Sequence, residues 1–270
     1  MIRLLRSEFL KVRTTRTVYW LLVLTAVLAA VVTGLFTLFQ VISETPVPLG
    51  TIEGQRAIFG NLATQSGAQI VMLCLGVLSL GAEFRHGTIT STLLATPRRA
   101  RVVLAKLATV VLVGLVFAVV AIVIALAVYL IWMRIKGETV TLSGDIWRVL
   151  LGNALVLVLY GAIGMGVGAL IRNQIVAIIV AIIYAWILDG LLALAINAVK
   201  PLRDAGLAGY LPGQAASGLQ WAPDAVPQEG VPAFTQIDYL PQWVAGLVLV
   251  AWALLFCVLG IRLALSRDIT

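Results

Sequence analysis

VVLAKLATVVLVGLVFAVVAIVIALAVYLIW, Val102 to Trp132, carries a single charged residue, Lys106, along its whole length. Crossing about 30 Å of hydrocarbon takes roughly 20 mostly apolar residues at about 1.5 Å rise each, so this stretch is long enough to span a bilayer. Five further stretches qualify on either side of it: Thr17 to Ile42, Leu62 to Ala82, Trp147 to Ile171, Ile175 to Asn197 and Gln242 to Leu263. The 270-residue chain is 61% hydrophobic and only 11% charged, with a mean hydropathy of +1.05, far from the usual composition of a soluble domain. The sequence therefore predicts an all-α integral membrane protein, six transmembrane helices forming one domain over residues 1–270.

The formal net charge of +7 does not point to nucleic acid, because no connection is long enough to fold into a soluble domain that would display a basic surface. Its distribution gives the topology instead. With the N-terminus inside, Lys and Arg at positions 3, 6, 11, 13, 16, 85, 98, 99, 101, 106, 172, 262 and 267 fall inside, and only Arg56, Arg134, Lys136, Arg148, Lys200 and Arg203 fall outside. Cytoplasmic loops carry the excess of cations, so both termini are predicted to be cytoplasmic, as in a multi-pass protein of a bacterial inner membrane. Glu44, Glu53, Glu138, Asp145, Asp204, Asp224, Glu229 and Asp238 fall on the outer side of the same assignment.

Before the first span, Ile2, Leu5, Phe9 and Val12 recur at helical spacing, with Arg3, Arg6, Lys11 and Arg13 flanking them. Residues 1–16 read as an amphipathic helix lying in the cytoplasmic interface, or simply as topogenic charges ahead of a retained first span. Cys74 and Cys257 each sit inside an apolar span and read as soft packing groups. With His86 the only histidine, no metal cluster and no catalytic site are expected.

The connections differ in character. Ser43 to Asn61, with Pro46, Pro48 and Gly50, reads as an extended outer loop; Met133 to Ile146 is similar in length, and Arg172 to Gln174 make a tight inner turn. Ala198 to Pro241 is too long for a structureless loop, and it reads as short helices dipping into the outer leaflet, burying Leu202, Leu207, Tyr210, Leu211, Leu219 and Trp221. On the inner side, GAEFRHGTITSTLLATPRRARVVLAK runs from Gly81 to Lys106. Thr96 and Pro97 mark a helix start, and Ile89, Leu93 and Leu94 form an apolar patch among threonines and serines. Such a patch suits a groove on a cytosolic partner, or else the segment is a solvated loop whose arginines fix topology.

That segment resembles the cytoplasmic connection of ABC-2 type transporter permeases, the transmembrane subunits of bacterial ABC exporters and type V exporter-like in plan. The positions that carry the likeness are Glu83, Gly87, Thr88, Leu93, Leu94, Thr96, Pro97, Arg99 or Arg101, and Lys106. The basic start MIRLLRSEFLKVRTTRTVYW, the six-span plan and YLPGQAASGL before the last span extend it over nearly the whole chain. The resemblance implies that residues 83–101 are a coupling segment seated on a separate ATPase subunit, through Glu83, Arg85, Gly87, Thr88, Ile89, Leu93, Leu94, Pro97 and Arg99. It implies that residues 198–241 form re-entrant helices, and that two permease copies, or this chain and a homologous one, work with two ATPase subunits. The chain has no G-x-x-x-x-G-K-[ST] phosphate loop, so ATP and Mg would be bound by the partner and no cofactor by this chain.

Within the spans, Asn61, Gln65 and Gln69 recur every four residues as one polar stripe, costly against lipid and so expected to face protein or a path. Asp189 is the one acid deep in an apolar span. It reads as a residue of the translocation path, with Trp186, Asn61, Gln65 and Gln69, or as a structural group paired with Lys200 or Arg203 or hydrogen-bonded to the re-entrant segment. Gly164 and Gly168 make a small-xxx-small pair for close helix packing. The expected cargo is hydrophobic or amphipathic, a drug, an antimicrobial peptide or a lipid-like molecule, with ion extrusion open; export follows from the resemblance. A membrane-embedded enzyme would need a nucleophile and base in one site, which the spans do not supply. An ATP-independent carrier or channel would need more ionisable groups in the spans or broken inverted repeats, and a membrane adaptor or immunity protein would need only a partner surface.

Overall fold

The computed structural model describes residues 2–42, 49–60, 62–85, 99–137, 145–171, 173–220 and 238–266, and among these it is all helical apart from short turns. The chain begins with α1 (Ile2–Thr14) and α2 (Arg16–Ile42). A broken run follows as α3 (Ile52–Phe59), α4 (Leu62–Gln65) and α5 (Ala68–Arg85). Then come the long α6 (Arg99–Lys136) and α7 (Ile146–Leu170). Next are α8 (Gln174–Ile183), one π-helical turn at Tyr184–Leu188 and α9 (Asp189–Ala198). The short α10 (Lys200–Asp204), a 3-10 turn (Leu207–Tyr210) and α11 (Pro212–Leu219) lead towards the final α12 (Gln242–Ser266). Among the described residues, six stretches are long and apolar enough to cross a membrane: Arg16–Phe39, Ile52–Gly81, Val102–Lys136, Ile146–Leu170, Gln174–Ala198 and Gln242–Gly260.

Between helices in lipid the hydrophobic effect supplies little, so association depends on close van der Waals contact and internal hydrogen bonds. α7 is built for the first. It is the most buried of the six stretches and packs chiefly against α5, α12 and α6. A Cβ placed on Gly164 would lie 2.0 Å from the carbonyl oxygen of Leu73 on α5, so the expected packing at the glycine pair is present as backbone-to-backbone contact. Peripheral faces carry exposed apolar side chains, among them Trp20, Phe39, Trp186 and Trp243, a surface matched to lipid tails.

One local expectation is corrected and another is extended. The segment 43–61 is not simply an extended loop before a span at Leu62, because helix resumes at Ile52. Thr51 caps α3, its hydroxyl oxygen accepting from the Gly54 N–H at 3.2 Å, and Glu53 sits in the first turn, where the helix dipole favours an anion. Phe59 then packs edge-on to Tyr129, ring centres 5.3 Å apart, and the Tyr129 hydroxyl donates to the Leu49 carbonyl at 2.8 Å. The helix breaks after Phe59 and again between α4 and α5, where Gly67 takes φ +71°, a conformation costly for any residue with a Cβ. The other finding is in the fifth span, expected over 175–197 and present as Gln174–Ala198. The π turn interrupts it and re-registers everything beyond, so that Trp186 is 75% exposed while Asp189 is 3% exposed.

Candidate functional site

Breaking a helix inside an apolar bundle leaves backbone N–H and C=O groups without intrahelical partners, and each must find another or cost about 1–3 kcal/mol. Two amides from other helices meet that need. Asn153 on α7 accepts from the Ala63 N–H through Oδ1 at 2.8 Å, and its Nδ2 donates to the carbonyls of Phe59 (2.9 Å) and Val149 (2.8 Å). Gln220, directly after α11, accepts from the N–H groups of Ala63 (3.1 Å) and Thr64 (3.3 Å) through Oε1, while its Nε2 donates to the Thr64 hydroxyl and the Ala216 carbonyl. The Thr64 hydroxyl in turn donates to Gln69 Oε1 at 3.2 Å. The polar stripe read from the sequence thus divides: Gln69 is buried in this knot, Gln65 is exposed, and Asn61 lies outside the described residues.

Asp189 is drawn into the same end of the molecule. Its Oδ1 accepts from the Gly213 N–H at 2.8 Å and its Oδ2 from the Gln214 side-chain amide at 3.1 Å. Gly213 is in the first turn of α11, whose unpaired N–H groups and dipole attract a carboxylate. Of the structural partners considered for Asp189, it is the 198–241 segment that provides them, and Arg203 instead lies 3.8 Å from Asp204. Further ties hold that segment down. Gln242 donates to the Leu219 and Arg148 carbonyls, each at 3.0 Å, and the Trp252 indole donates to the Tyr210 carbonyl at 2.9 Å. Asp189 and Gln69 are thus each held from the α11 segment, Asp189 by Gly213 and Gln214 at its start and Gln69, through Thr64, by Gln220 at its end. Trp186 points away from these contacts, on the exposed side of the π turn.

The opposite end of α5 and α6 holds a charged cluster. Glu8 on α1 is 7% exposed and Lys106 on α6 is 2% exposed; Lys106 Nζ lies 2.8 Å from Glu8 Oε2, and Lys11 Nζ lies 2.7 Å from Oε1. Lys106 also reaches the Ser79 carbonyl on α5 at 3.5 Å. Burial pushes the Glu8 carboxyl up, but hydrogen bonds and charge from Lys106 and Lys11 outweigh it and hold the group below its ordinary value. On α1 the inward face is thus not purely the apolar stripe read from the sequence: Val12 packs against the core, Phe9 is half exposed, and the buried Glu8 shares the inward face with Val12.

Of the coupling residues, Glu83 and Arg85 fall in the last turn of α5 and Arg99 begins α6. Gly87, Thr88, Ile89, Leu93, Leu94 and Pro97 lie outside the described residues, as does the helix start at Thr96. Sequence reasoning missed Asn153, Gln220 and the Glu8–Lys106 pair. The only signal for each was an amide or charge inside or beside an apolar run.

A family model described as ABC-2 family transporter protein matches residues 4–187. That interval is more than half of the chain, and the chain belongs to this family. It is a multi-pass membrane protein and a permease subunit of an ABC transporter. Permeases of this family are transmembrane components without an ATPase domain of their own, and membership implies an ABC ATPase subunit as partner. Comparison with curated proteins gave no match.

Proposed function

We propose that this chain is the permease of an ATP-driven exporter in the bacterial inner membrane, with both termini in the cytoplasm. It moves a hydrophobic or amphipathic cargo outward, using ATP and Mg bound by two copies of a separate ATPase subunit. The permease acts as one of two, either with a second copy of itself or with a homologous chain. Residues 83–101 are the seat for the ATPase, with Glu83, Arg85, Gly87, Thr88, Ile89, Leu93, Leu94, Pro97 and Arg99 as its contacts. Asn61, Gln65, Gln69, Trp186 and Asp189 line or shape the route.

The observation that carries this reading is the family match, which runs from α1 into the π turn and takes in the whole of the proposed seat. Two features support it further. The spans hold almost no free charge, which suits an apolar cargo better than an ion, and α5 and α6 bracket the 86–98 connection at the end of the molecule where basic residues gather.

The test is purification of the tagged chain from its native membrane in mild detergent, with mass spectrometry and an ATP hydrolysis assay. Recovery of an ATPase carrying a phosphate loop is expected, together with its loss when Leu93 and Leu94 are both replaced by Glu. A chain that purifies alone refutes the transporter reading, and undiminished association in the double variant refutes the seat.

A further inference from the structure

The Glu8–Lys106 pair does more than satisfy two charges. A buried ion pair adds little net stability over apolar residues of the same shape, yet removal of one partner leaves the other uncompensated in a dry site. Such a pair therefore enforces geometry: Lys106 cannot stay buried unless α1 is docked to bring Glu8 to it. α1 presents Arg6 and Arg13 outward and turns Glu8 inward, the reverse of a helix whose charges serve only to orient the chain. Lys106, carried on α6, links it through its ammonium to Glu8 of α1 and to the Ser79 carbonyl of α5. α5 ends at Arg85 and α6 begins at Arg99, so these are the two stems of the 86–98 connection.

We propose that Glu8 is a positioning residue for the ATPase seat: paired with Lys106, it clamps α1 against the inner end of α6 and steadies the ammonium that reaches the Ser79 carbonyl of α5, and so fixes the spacing of the two stems that flank residues 86–98. The inference rests on the permease reading and deepens it. α1 is then part of the frame of the seat, and its loosening lets the stems part without unfolding the bundle.

The test uses the full chain in lipid nanodiscs, alone and with its co-purified ATPase. Three forms are compared with wild type: Glu8→Gln, Lys106→Met, and the exchange Glu8→Lys with Lys106→Glu. In the chain alone, amide exchange over residues 2–14 should rise at least about tenfold in each single variant and return towards wild type in the charge exchange. In the complex, the permease-stimulated kcat for ATP should fall about tenfold in Glu8→Gln with KM for ATP unchanged, because the nucleotide site belongs to the partner. The charge exchange should restore it. Exchange unchanged in Glu8→Gln overturns the clamp. A loosened α1 with unchanged kcat overturns the positioning role, as does lost kcat that the charge exchange does not rescue. If wild type brings down no ATPase, the permease reading fails and the positioning role with it, while the exchange data still report whether the clamp exists.

Discussion

The shared amide at Ala63 makes an energetic prediction of unusual shape. Its N–H has two acceptors, Asn153 Oδ1 at 2.8 Å and Gln220 Oε1 at 3.1 Å, so either side chain alone keeps it satisfied. Replacing Asn153 with the similarly sized Leu removes the donor to the Phe59 carbonyl and leaves that one buried acceptor unpaired, a cost of about 1–3 kcal/mol. Val149 keeps its place in the helical ladder. Gln220→Met strips the Thr64 N–H of its acceptor, again about 1–3 kcal/mol. In the double variant Ala63 loses both acceptors as well, adding another ~1–3 kcal/mol that neither single change incurs. The two substitutions should therefore be worse together than their sum, with a coupling energy of about 2 kcal/mol, roughly a thirtyfold change in the folded-to-unfolded ratio. The assay is reversible unfolding in mixed micelles at rising SDS fraction, followed by tryptophan fluorescence, for wild type, both singles and the double. Additivity to within about 0.5 kcal/mol would refute the claim that these amides jointly close the break in the second span.

Three more outcomes are expected. Gly164→Ala should fail to accumulate as a folded protein, since its Cβ would meet the Leu73 carbonyl at 2.0 Å, whereas Gly190→Ala, with nothing within 4 Å, should be neutral or gain up to about 1 kcal/mol in the same SDS assay; equal behaviour would contradict the packing of α7 on α5. Asp189→Leu should raise amide exchange across residues 212–219 by about tenfold or more by orphaning the Gly213 N–H, with Asp189→Asn intermediate, and unchanged exchange in both would show that the carboxylate does not hold α11. Because Glu8 is held below its ordinary value of 4.5, its paired, charged form contributes stability above that value and loses it as the pH falls through the lowered one. The groups facing it are Lys106 from α6 and Lys11 from its own helix. Protection of α1 should thus be flat from about pH 8 to about pH 5 and disappear only in stronger acid; loss near neutrality would break the account.

Hydropathy and length alone placed all six apolar spans, with the fourth predicted at 147–171 and found at Ile146–Leu170. The Gly164–Gly168 spacing announced the close approach to α5, and the Glu83–Lys106 residues that carried the family likeness lie within the matched 4–187. These features are legible because the cost of taking a side chain out of water, and the room a small residue leaves, are properties of the residue and its near neighbours. What the sequence could not show is where a buried polar group finds its partner. Ala63 is answered from 90 and 157 positions away, and Lys106 from 98. The second span was read as starting at Leu62 because Pro46, Pro48 and Gly50 mark a loop ahead of it, whereas the break after Phe59 is tolerable only because Asn153 and Gln220 are packed against it. The same holds for Asp189, an acid whose position in the span was plain but whose direction depended on the π turn ahead of it and on the N-terminus of α11 beyond. Local chemistry determined which segments leave water; only the packed bundle, by bringing distant amides and charges within hydrogen-bonding distance, decided where the helices break, which face of each is buried and how the two ends are held.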